Sequence, residues 1–216
     1  RIEVESAQAI LSSDPNGPSV TRNEFGDLIG VTTSYFNEEN TLIRGADFNI
    51  NYLLDIKDNG YLTFSLKGTK LDRFLTPGLA ENQQLRMINR VGKFNFNAHT
   101  HSLPKNRINS FINWNYKDYV FGLTSRYIDG YVNERAITGL GITYGYENKI
   151  DSFLVHDLSL RKILKVSSGE LKLNLALINI LDESAPRLYD APDFSFDTRV
   201  HDPRGRMLGV NIEYKF

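Results

Sequence analysis

Hydrophobic and polar positions alternate with a period of two along most of this chain, and the closing segment "GRMLGVNIEYKF", residues 205–216, shows the pattern most clearly. Successive side chains of a β-strand point to opposite faces, so this alternation predicts a strand with one apolar and one polar face. The apolar positions of the segment are Leu208, Val210, Ile212, Tyr214 and Phe216. The predicted strand continues to the last residue, where a terminus without a partner would ordinarily fray.

Eight segments carry this alternation, and most of them are long. They comprise residues 28–36, 41–56, 60–71, 107–116, 119–132, 151–164, 169–180 and 205–216. Most reach the roughly 9 to 11 residues that a tilted strand needs to cross a bilayer, whereas strands of globular sheets commonly have about 5 or 6. The chain is therefore predicted to be all-β and antiparallel, with strands of membrane-spanning length.

The two faces of these strands differ in composition. Asn, Thr, Ser, Lys and Asp recur on the polar faces, while the apolar faces end in Tyr, Phe or Trp. An aqueous lumen inside a barrel, with aromatic belts at the two membrane interfaces, has this composition. A soluble β-sandwich would bury apolar faces equally well, so the pattern alone leaves that alternative open.

The connections between the predicted strands alternate in length. "KDNG", "YKD" and "KVSSG" are short turns, whereas residues 74–104, 132–150 and 181–204 form long connections. Short turns at one end and long loops at the other are typical of bacterial outer-membrane barrels. The segment "NEEN", residues 37–40, departs from this pattern because it is short where a long loop is expected.

Composition excludes several other classes of protein. Lys and Arg number 25 against 26 Asp and Glu, and the net charge of −1 argues against a nucleic-acid partner. Cysteine is absent, which excludes a disulfide scaffold, and no apolar run approaches the roughly 18 residues of a membrane helix. The chain begins at Arg1 without a signal-peptide pattern. We therefore expect a processed or truncated piece, with residues 1–27 as an external loop and 28–216 as one domain of strands.

Two motifs near the end resemble a known family. Within "NLALINILDESAPRLYD", Asn179 to Asp182 is similar to the Asn-Leu-Phe-Asp element of TonB-dependent receptors of Gram-negative outer membranes, with Leu181 where that family usually has phenylalanine. Asp202, Pro203, Arg204, Gly205 and Arg206 match the Asp-Pro-Arg-Gly-Arg element before the last strand of that family. The final aromatic residue, Phe216, matches its barrel-assembly signal.

Upstream segments extend the resemblance over residues 28–216. "LIRGADFNINY" is similar to a family strand with a Gly-Val-Asp/Glu core, and "SLPKNRINSFINWNY" has the Pro-x-x-Arg spacing that precedes a descending strand, at Pro104 and Arg107. The resemblance implies an up-and-down transmembrane β-barrel of about 22 strands, plugged by an N-terminal domain. The eight predicted strands would be its last eight, and the plug has no counterpart in this sequence.

Candidate binding residues lie in the predicted long loops. His99 and His101 have the spacing of two metal or haem contacts, although a solvated loop explains them as well because no third ligand is evident. Arg187 and Arg199 could hold an anionic nutrient, or could tie the loop to neighbouring strands. His156 is predicted to lie on the lipid-facing side of its strand.

The resemblance implies active uptake of a scarce nutrient, such as a ferric siderophore, haem, cobalamin or an oligosaccharide. The implied partners are outer-membrane lipid and lipopolysaccharide, the barrel-assembly machinery, and the TonB complex through a more N-terminal region. No nucleophile motif or catalytic carboxylate cluster is present, so we expect neither an enzyme nor a cofactor. Two alternatives stay open: a self-contained eight-stranded outer-membrane barrel with a structural, anchoring or enzymatic role, and a soluble carbohydrate-binding sandwich.

Overall fold

The structure, a computed structural model, describes residues 2–4, 7, 10–11, 14–37, 41–79, 85–95, 101–133, 139–189 and 194–216. The fold is all-β with antiparallel pairing in every sheet, as the alternation predicts. The chain divides into two compact units, Arg1–Ile43 with Phe74–Asn89, and Arg44–Arg73 with Arg90–Phe216.

The first unit contains four short strands in two small sheets. They are β1 (Ile2–Val4), β2 (Val20–Arg22), β3 (Leu28–Val31) and β4 (Tyr35–Asn37), where β1 pairs with β4 and β2 with β3. The prediction of one strand over residues 28–36 is therefore wrong. A local turn explains the difference, because the Asn23 side-chain oxygen accepts hydrogen bonds from the backbone amides of Phe25 and Asp27 and so closes the β2–β3 hairpin.

The main sheet contains eight strands. They are β5 (Leu42–Asp55), β6 (Tyr61–Leu79), β7 (Leu85–Asn89), β8 (Asn106–Tyr116), β9 (Tyr119–Ile128), β12 (Phe153–Val166), β13 (Gly169–Ile178) and β14 (Met207–Lys215). Their order is β14-β13-β12-β9-β8-β6-β5, and β7 pairs with the last residues of β6. Seven of the predicted strands are confirmed here, whereas β7 lies in a region that was predicted to be a loop.

Smaller elements occupy the connections. Strands β10 (Tyr131–Val132) and β11 (Lys149–Ile150) pair with each other, a 3-10 helix covers Lys57–Asn59, and a short α-helix covers Gly139–Thr143. The predicted short turns are confirmed at 57–60, 117–118 and 167–168, all at one end of the sheet, which we call the turn end. The long connections leave the opposite end, which we call the loop end.

Strand register collects the apolar side chains on one side of the sheet, which we call the apolar face. One row across six strands consists of Leu62, Trp114, Phe121, Leu160, Leu175 and Val210. The next row consists of Phe64, Ile112, Leu123, Leu158, Leu177 and Leu208. The opposite, polar face carries such rows as Asn115, Val120, Arg161, Asn174 and Asn211. The predicted two-faced strands are therefore in register with one another.

Burial is concentrated away from these rows. None of the twelve side chains in the two apolar rows is buried, and Leu208, Val210 and Leu175 are 73%, 62% and 43% exposed. The buried apolar residues of the second unit belong to the loop end instead. They are Phe94, Tyr131, Ile150, Phe153, Val155 and Leu188. Within the described residues, the sheet thus has no second layer over its apolar face.

Gly60 provides a test of the turn end. Its backbone, with φ of 83° and ψ of −148°, lies in a region used almost only by glycine, and a Cβ there would be 2.0 Å from the Asn115 carbonyl oxygen. We expect Gly60→Ala to lower the free energy of unfolding by about 1–3 kcal/mol, measured from the urea midpoint. Gly30→Ala is the control, since no atom lies within 4 Å of its Cβ position. Equal midpoints for the two variants would contradict the prediction.

Candidate functional site

The connections at the loop end pack into a compact group that we call the loop cluster. Its apolar centre consists of Phe94, Tyr131, Ile150 and Leu188, with Val200 packed against them. Backbone bonds tie its segments together, since the Phe94 amide donates to the Val132 carbonyl and the Val132 amide donates to the Gly92 carbonyl. This cluster, together with Phe153 and Val155 in the first residues of β12, provides the buried apolar residues of the second unit and holds the loop residues in a fixed arrangement.

A polar trio is buried in the loop cluster. The Tyr131 hydroxyl donates to Asp197 Oδ2 at 3.0 Å and lies 3.2 Å from His201 Nε2. The hydroxyl has one proton, so His201 carries its own proton on Nε2 and donates it to the Tyr131 oxygen. The rings of Tyr131 and His201 stack at 5.9 Å, and Phe153 meets His201 edge-on at 5.3 Å. The His201 Nδ1 atom has no hydrogen-bond partner among the described residues.

Burial determines how this trio ionises. It lowers the pKa of His201 to about 4, with the Asp197 carboxylate opposing that shift and Arg107 adding to it. Burial and then the Asp197 carboxylate raise the pKa of Tyr131 well above its usual value. At neutral pH the trio therefore holds a neutral imidazole and a protonated tyrosine beside the Asp197 side chain. The sequence does not predict this trio, because Tyr131 and Asp197 belong to no motif and come together only in the folded protein.

Asn179 connects the two family-like motifs. It is 2% exposed, and its side-chain amide donates to the carbonyls of Glu183, at 2.9 Å, and Arg204, at 3.2 Å. Its side-chain oxygen accepts the Glu183 amide at 2.9 Å. Its own backbone amide donates to Asp157, which forms an ion pair with Arg126. The start of the β13–β14 connection is thereby fixed to the residues that precede β14 and to the polar face of the sheet.

Two aspartates complete this junction. Asp182 Oδ1 accepts the Arg206 amide at 2.7 Å, and a Cβ at Gly205 would lie 2.8 Å from the same oxygen. Asp202 binds the Arg204 guanidinium, which lowers the pKa of that carboxyl to about 2. The structure thus brings together the predicted motif residues around Asn179, apart from Phe216, which is 98% exposed at the turn end. The Arg126–Asp157 pair was not predicted, since each residue occupies an ordinary polar position of its strand.

The four candidate binding residues differ in their contacts and exposure. Arg199 Nη1 lies 3.1 Å from His101 Nδ1, so the guanidinium donates to the imidazole, and the Arg199 backbone amide donates to Asp197. Arg187 is exposed, and His99 lies outside the described residues. His101 and Arg199 therefore form a contact at the surface of the loop cluster, beside the buried trio.

His156 lies on the apolar face, as predicted from its strand register. It shares that face with Leu154 and Leu158, and its Nδ1 atom is 2.7 Å from the Ser125 hydroxyl on the neighbouring strand. Because the row beyond it toward the loop end contains Leu154 and Tyr127, this polar pair lies within apolar surroundings. The hydrogen bond satisfies one ring nitrogen there.

Aromatic side chains line the turn end of the apolar face, and we call them the aromatic girdle. They are Trp114, Tyr116, Tyr119, Phe121, Tyr214 and Phe216. The Trp114 ring stacks at 5.6 Å on Tyr116 and at 5.3 Å on Phe121, and its Nε1 atom donates to the Asn59 carbonyl. Tyr119 also stacks on Phe121, so these four rings form a connected ladder next to the short turns, while Tyr214 and Phe216 contact each other at the end of β14.

Asn179→Ala tests the junction of the two motifs. The variant loses three side-chain hydrogen bonds and places alanine at a φ of 51°. We therefore expect the free energy needed to open the β13–β14 connection to fall by about 3 kcal/mol. Tryptic cleavage at Arg187, Arg199 and Arg204 should accelerate about a hundredfold. Asn211→Ala, on the exposed polar face of β14, is the control and should cleave at the original rate. An unchanged rate for both variants would show that the junction does not fix the loop.

His201 makes the loop cluster sensitive to pH. Its folded pKa of about 4 lies below the unfolded value of about 6.5, so the opened cluster binds the proton more tightly. Stability of the cluster should be constant above about pH 6.5, fall by on the order of 3 kcal/mol as the pH drops toward 4, and level off below that. Asp202, with a pKa of about 2, contributes only in a lower pH window.

Hydrogen-exchange protection of residues 194–206, measured from pH 7 to pH 4, checks this dependence. His201→Leu should abolish it, because the variant has no imidazole to protonate. His156→Leu, on the apolar face, should retain it. Persistence of the full pH dependence in His201→Leu would assign it to other groups.

The described residues offer few further indications of chemistry. They contain no group of three or more His, Cys, Asp or Glu side chains able to hold a metal ion. The helices found in them are too short and too polar to cross a bilayer. No family model, no curated protein and no solved structure matches the chain. A proposal of the chain's function therefore rests on the two faces of the main sheet, the aromatic girdle and the loop cluster.

Proposed function

We propose that the chain is the C-terminal part of the β-barrel of a TonB-dependent outer-membrane receptor, which takes up a scarce nutrient such as a ferric siderophore, haem, cobalamin or an oligosaccharide. One observation carries this proposal: a sheet of long antiparallel strands has a continuous apolar face that no described residue covers. A soluble sandwich would pack such a face against a second sheet about 10 Å away. Hydrocarbon covers it without a second layer.

The height of the apolar face agrees with a membrane. On β12 it extends from Leu154 to Leu164, ten residues apart, or about 33 Å along the strand at about 3.3 Å per residue. A tilt of about 40° reduces this length to about 25 Å, which is the height of the apolar band of outer-membrane barrels. The aromatic girdle lies at one edge of the band, where such barrels carry their interfacial aromatic residues.

The opposite face suits a water-filled interior. Asn174 donates to Asn211 at 3.2 Å, Arg161 donates to Asn174 at 3.0 Å, and both bonds run across neighbouring strands. Bonds of this kind leave further donors and acceptors for water. In a barrel of eight strands, packed side chains fill the interior, whereas larger barrels leave space for solvent or a plug. Long polar side chains therefore favour the larger barrel.

The edges of the sheet are consistent with missing neighbours. Strands β14 and β5 end the strand order, and neither has a further strand on its outer side within the described residues. An unpaired strand edge in hydrocarbon costs several kcal/mol for each exposed backbone group. Both edges must be paired in a membrane, and in this proposal the remaining barrel strands pair with them.

The loop cluster would belong to the external, substrate-facing side. There the buried trio and the Asn179 junction hold the loops rigid, while His101 and Arg199 lie at the surface as candidate contacts for an anionic nutrient. The exposed Phe216 would engage the barrel-assembly machinery, and a more N-terminal region would supply the plug and the contact with TonB. Lipid and lipopolysaccharide would surround the apolar face. The proposed role is transport, without catalysis.

A pair of neighbouring substitutions tests the membrane placement. Leu175→Arg puts a cation in the middle of the apolar face, which costs about 2–4 kcal/mol in lipid, whereas Asn174→Arg puts it on the polar face of the same strand. We expect Leu175→Arg to reduce the heat-modifiable, folded protein in outer membranes at least tenfold, and Asn174→Arg to leave it near the original amount. Equal losses, or recovery of the unsubstituted protein in the soluble fraction without detergent, would overturn the proposal.

Transport is tested on the natural gene product. We expect its intact mass in outer membranes to be several times the 24.6 kDa of this chain, because a plug and further strands are required. Deletion of the gene should abolish energy-dependent uptake of one compound in a panel of labelled ferric siderophores, haem, cobalamin and oligosaccharides. A mass near 24.6 kDa would instead favour a self-contained eight-stranded barrel.

A further inference from the structure

One cation lies within the aromatic girdle on the apolar face. Lys162 pairs across the sheet with Tyr119 on one side and Leu173 on the other, so its side chain shares their face. Its Nζ atom donates a hydrogen bond to the Tyr119 hydroxyl at 2.5 Å and lies 4.5 Å from the centroid of that ring. The hydroxyl and the ring quadrupole both attract an ammonium, but neither supplies a negative charge.

A second cation lies next to it. Lys117, in the β8–β9 turn, has its Nζ atom 5.0 Å from the centroid of the Tyr116 ring. Tyr116 and Tyr119 are direct cross-strand partners, and Tyr119 is in turn the partner of Lys162. The two ammonium groups therefore flank one pair of tyrosine rings at the edge of the apolar band.

These two lysines lack anionic partners among the described residues. At the same level of the sheet, Glu170 and Glu213 lie on the polar face, where both pair with Lys172 at 3.6 and 3.7 Å. Asp118 adjoins Lys117 in the turn, and its backbone carbonyl accepts a hydrogen bond from the Ile163 amide. The two glutamates at this end thus lie on the polar face, whereas the aromatic girdle has two cations without ion pairs in the described part of the chain.

We propose that Lys162 and Lys117, with Tyr116 and Tyr119 between them, form a binding site for the headgroup of an anionic glycerophospholipid. The phosphate accepts hydrogen bonds from the ammonium groups and the tyrosine hydroxyls, and the acyl chains lie along the adjoining row of Trp114, Phe121 and Leu160. The two ammonium groups favour an anionic ligand. The continuous apolar row next to them favours an anion that carries a hydrocarbon tail. This site rests on the membrane placement proposed above, but not on the transport function.

Native mass spectrometry of the full-length detergent-purified protein tests the site, with phosphatidylglycerol as the probe and phosphatidylcholine as the neutral comparison. We expect preferential retention of phosphatidylglycerol. Each cation near a membrane surface contributes about 1 kcal/mol, so Lys162→Gln should weaken binding about fivefold and Lys162→Gln with Lys117→Gln about thirtyfold. Lys162→Arg should retain most of the binding because it keeps the charge.

Lys172→Gln is the matched control, since it removes a lysine at the same level from the polar face, and it should leave phosphatidylglycerol binding unchanged. Heat-modifiability of each variant verifies that the barrel is folded. Equal retention of the two lipids, or equal losses for Lys162→Gln and Lys172→Gln, would overturn the site. Competition by millimolar inorganic phosphate as effective as the lipid would show that the lysines bind free phosphate only. A protein that is soluble without detergent would overturn the membrane placement as well.

Discussion

The register of the main sheet is the constraint on which the rest of this structure depends. Because the side-chain period of a strand is two, a slip of one residue would exchange the two faces of that strand and interrupt every row to which it contributes. From β6 to β14 no such slip occurs, and six strands contribute to unbroken apolar rows such as the one from Leu62 to Val210. The sequence therefore specifies one pairing by placing most of the apolar strand residues of these six strands on a single face.

That constraint leaves the protein with a core in an unusual position. A sheet normally gains stability by burying its apolar face against another layer, but here the buried apolar side chains lie at the loop end, in the connections and in the first residues of β12. The short turns bury little, and in the girdle beside them the polar atoms of Trp114, Tyr119 and Tyr214 are hydrogen-bonded. The two ends of the same strands thus have different physical roles, with the loop end held by burial and the turn end by backbone geometry and aromatic contacts.

Much of the sheet could be predicted from sequence because its determinants are local. Alternation, the turn formers around Gly60 and the lengths of the connections identify seven long strands and their pairing. The short strand β7 was missed because "LRMIN" is too brief to show a period and owes its conformation to pairing with β6. The predicted strand at residues 28–36 was wrong because the Asn23 turn recruits its first residues into a separate hairpin. In both cases the conformation of the segment depends on the strand with which it pairs, which the alternation within the segment does not show.

The loop end could be predicted only in part, for a related reason. Asn179 and Asp202 were noticed as members of motifs, but the pattern did not reveal that Asn179 binds the carbonyl of Arg204, 25 residues later. Tyr131 and Asp197 belong to no motif, and His201, which directly precedes the motif at Asp202 to Arg206, gives no sign in the sequence of the two residues that it contacts. In the proposed receptor, this arrangement would separate two requirements of a binding loop. The buried trio and the Asn179 junction supply rigidity below the surface, so an exposed residue such as Arg187 can be replaced without loss of the loop fold.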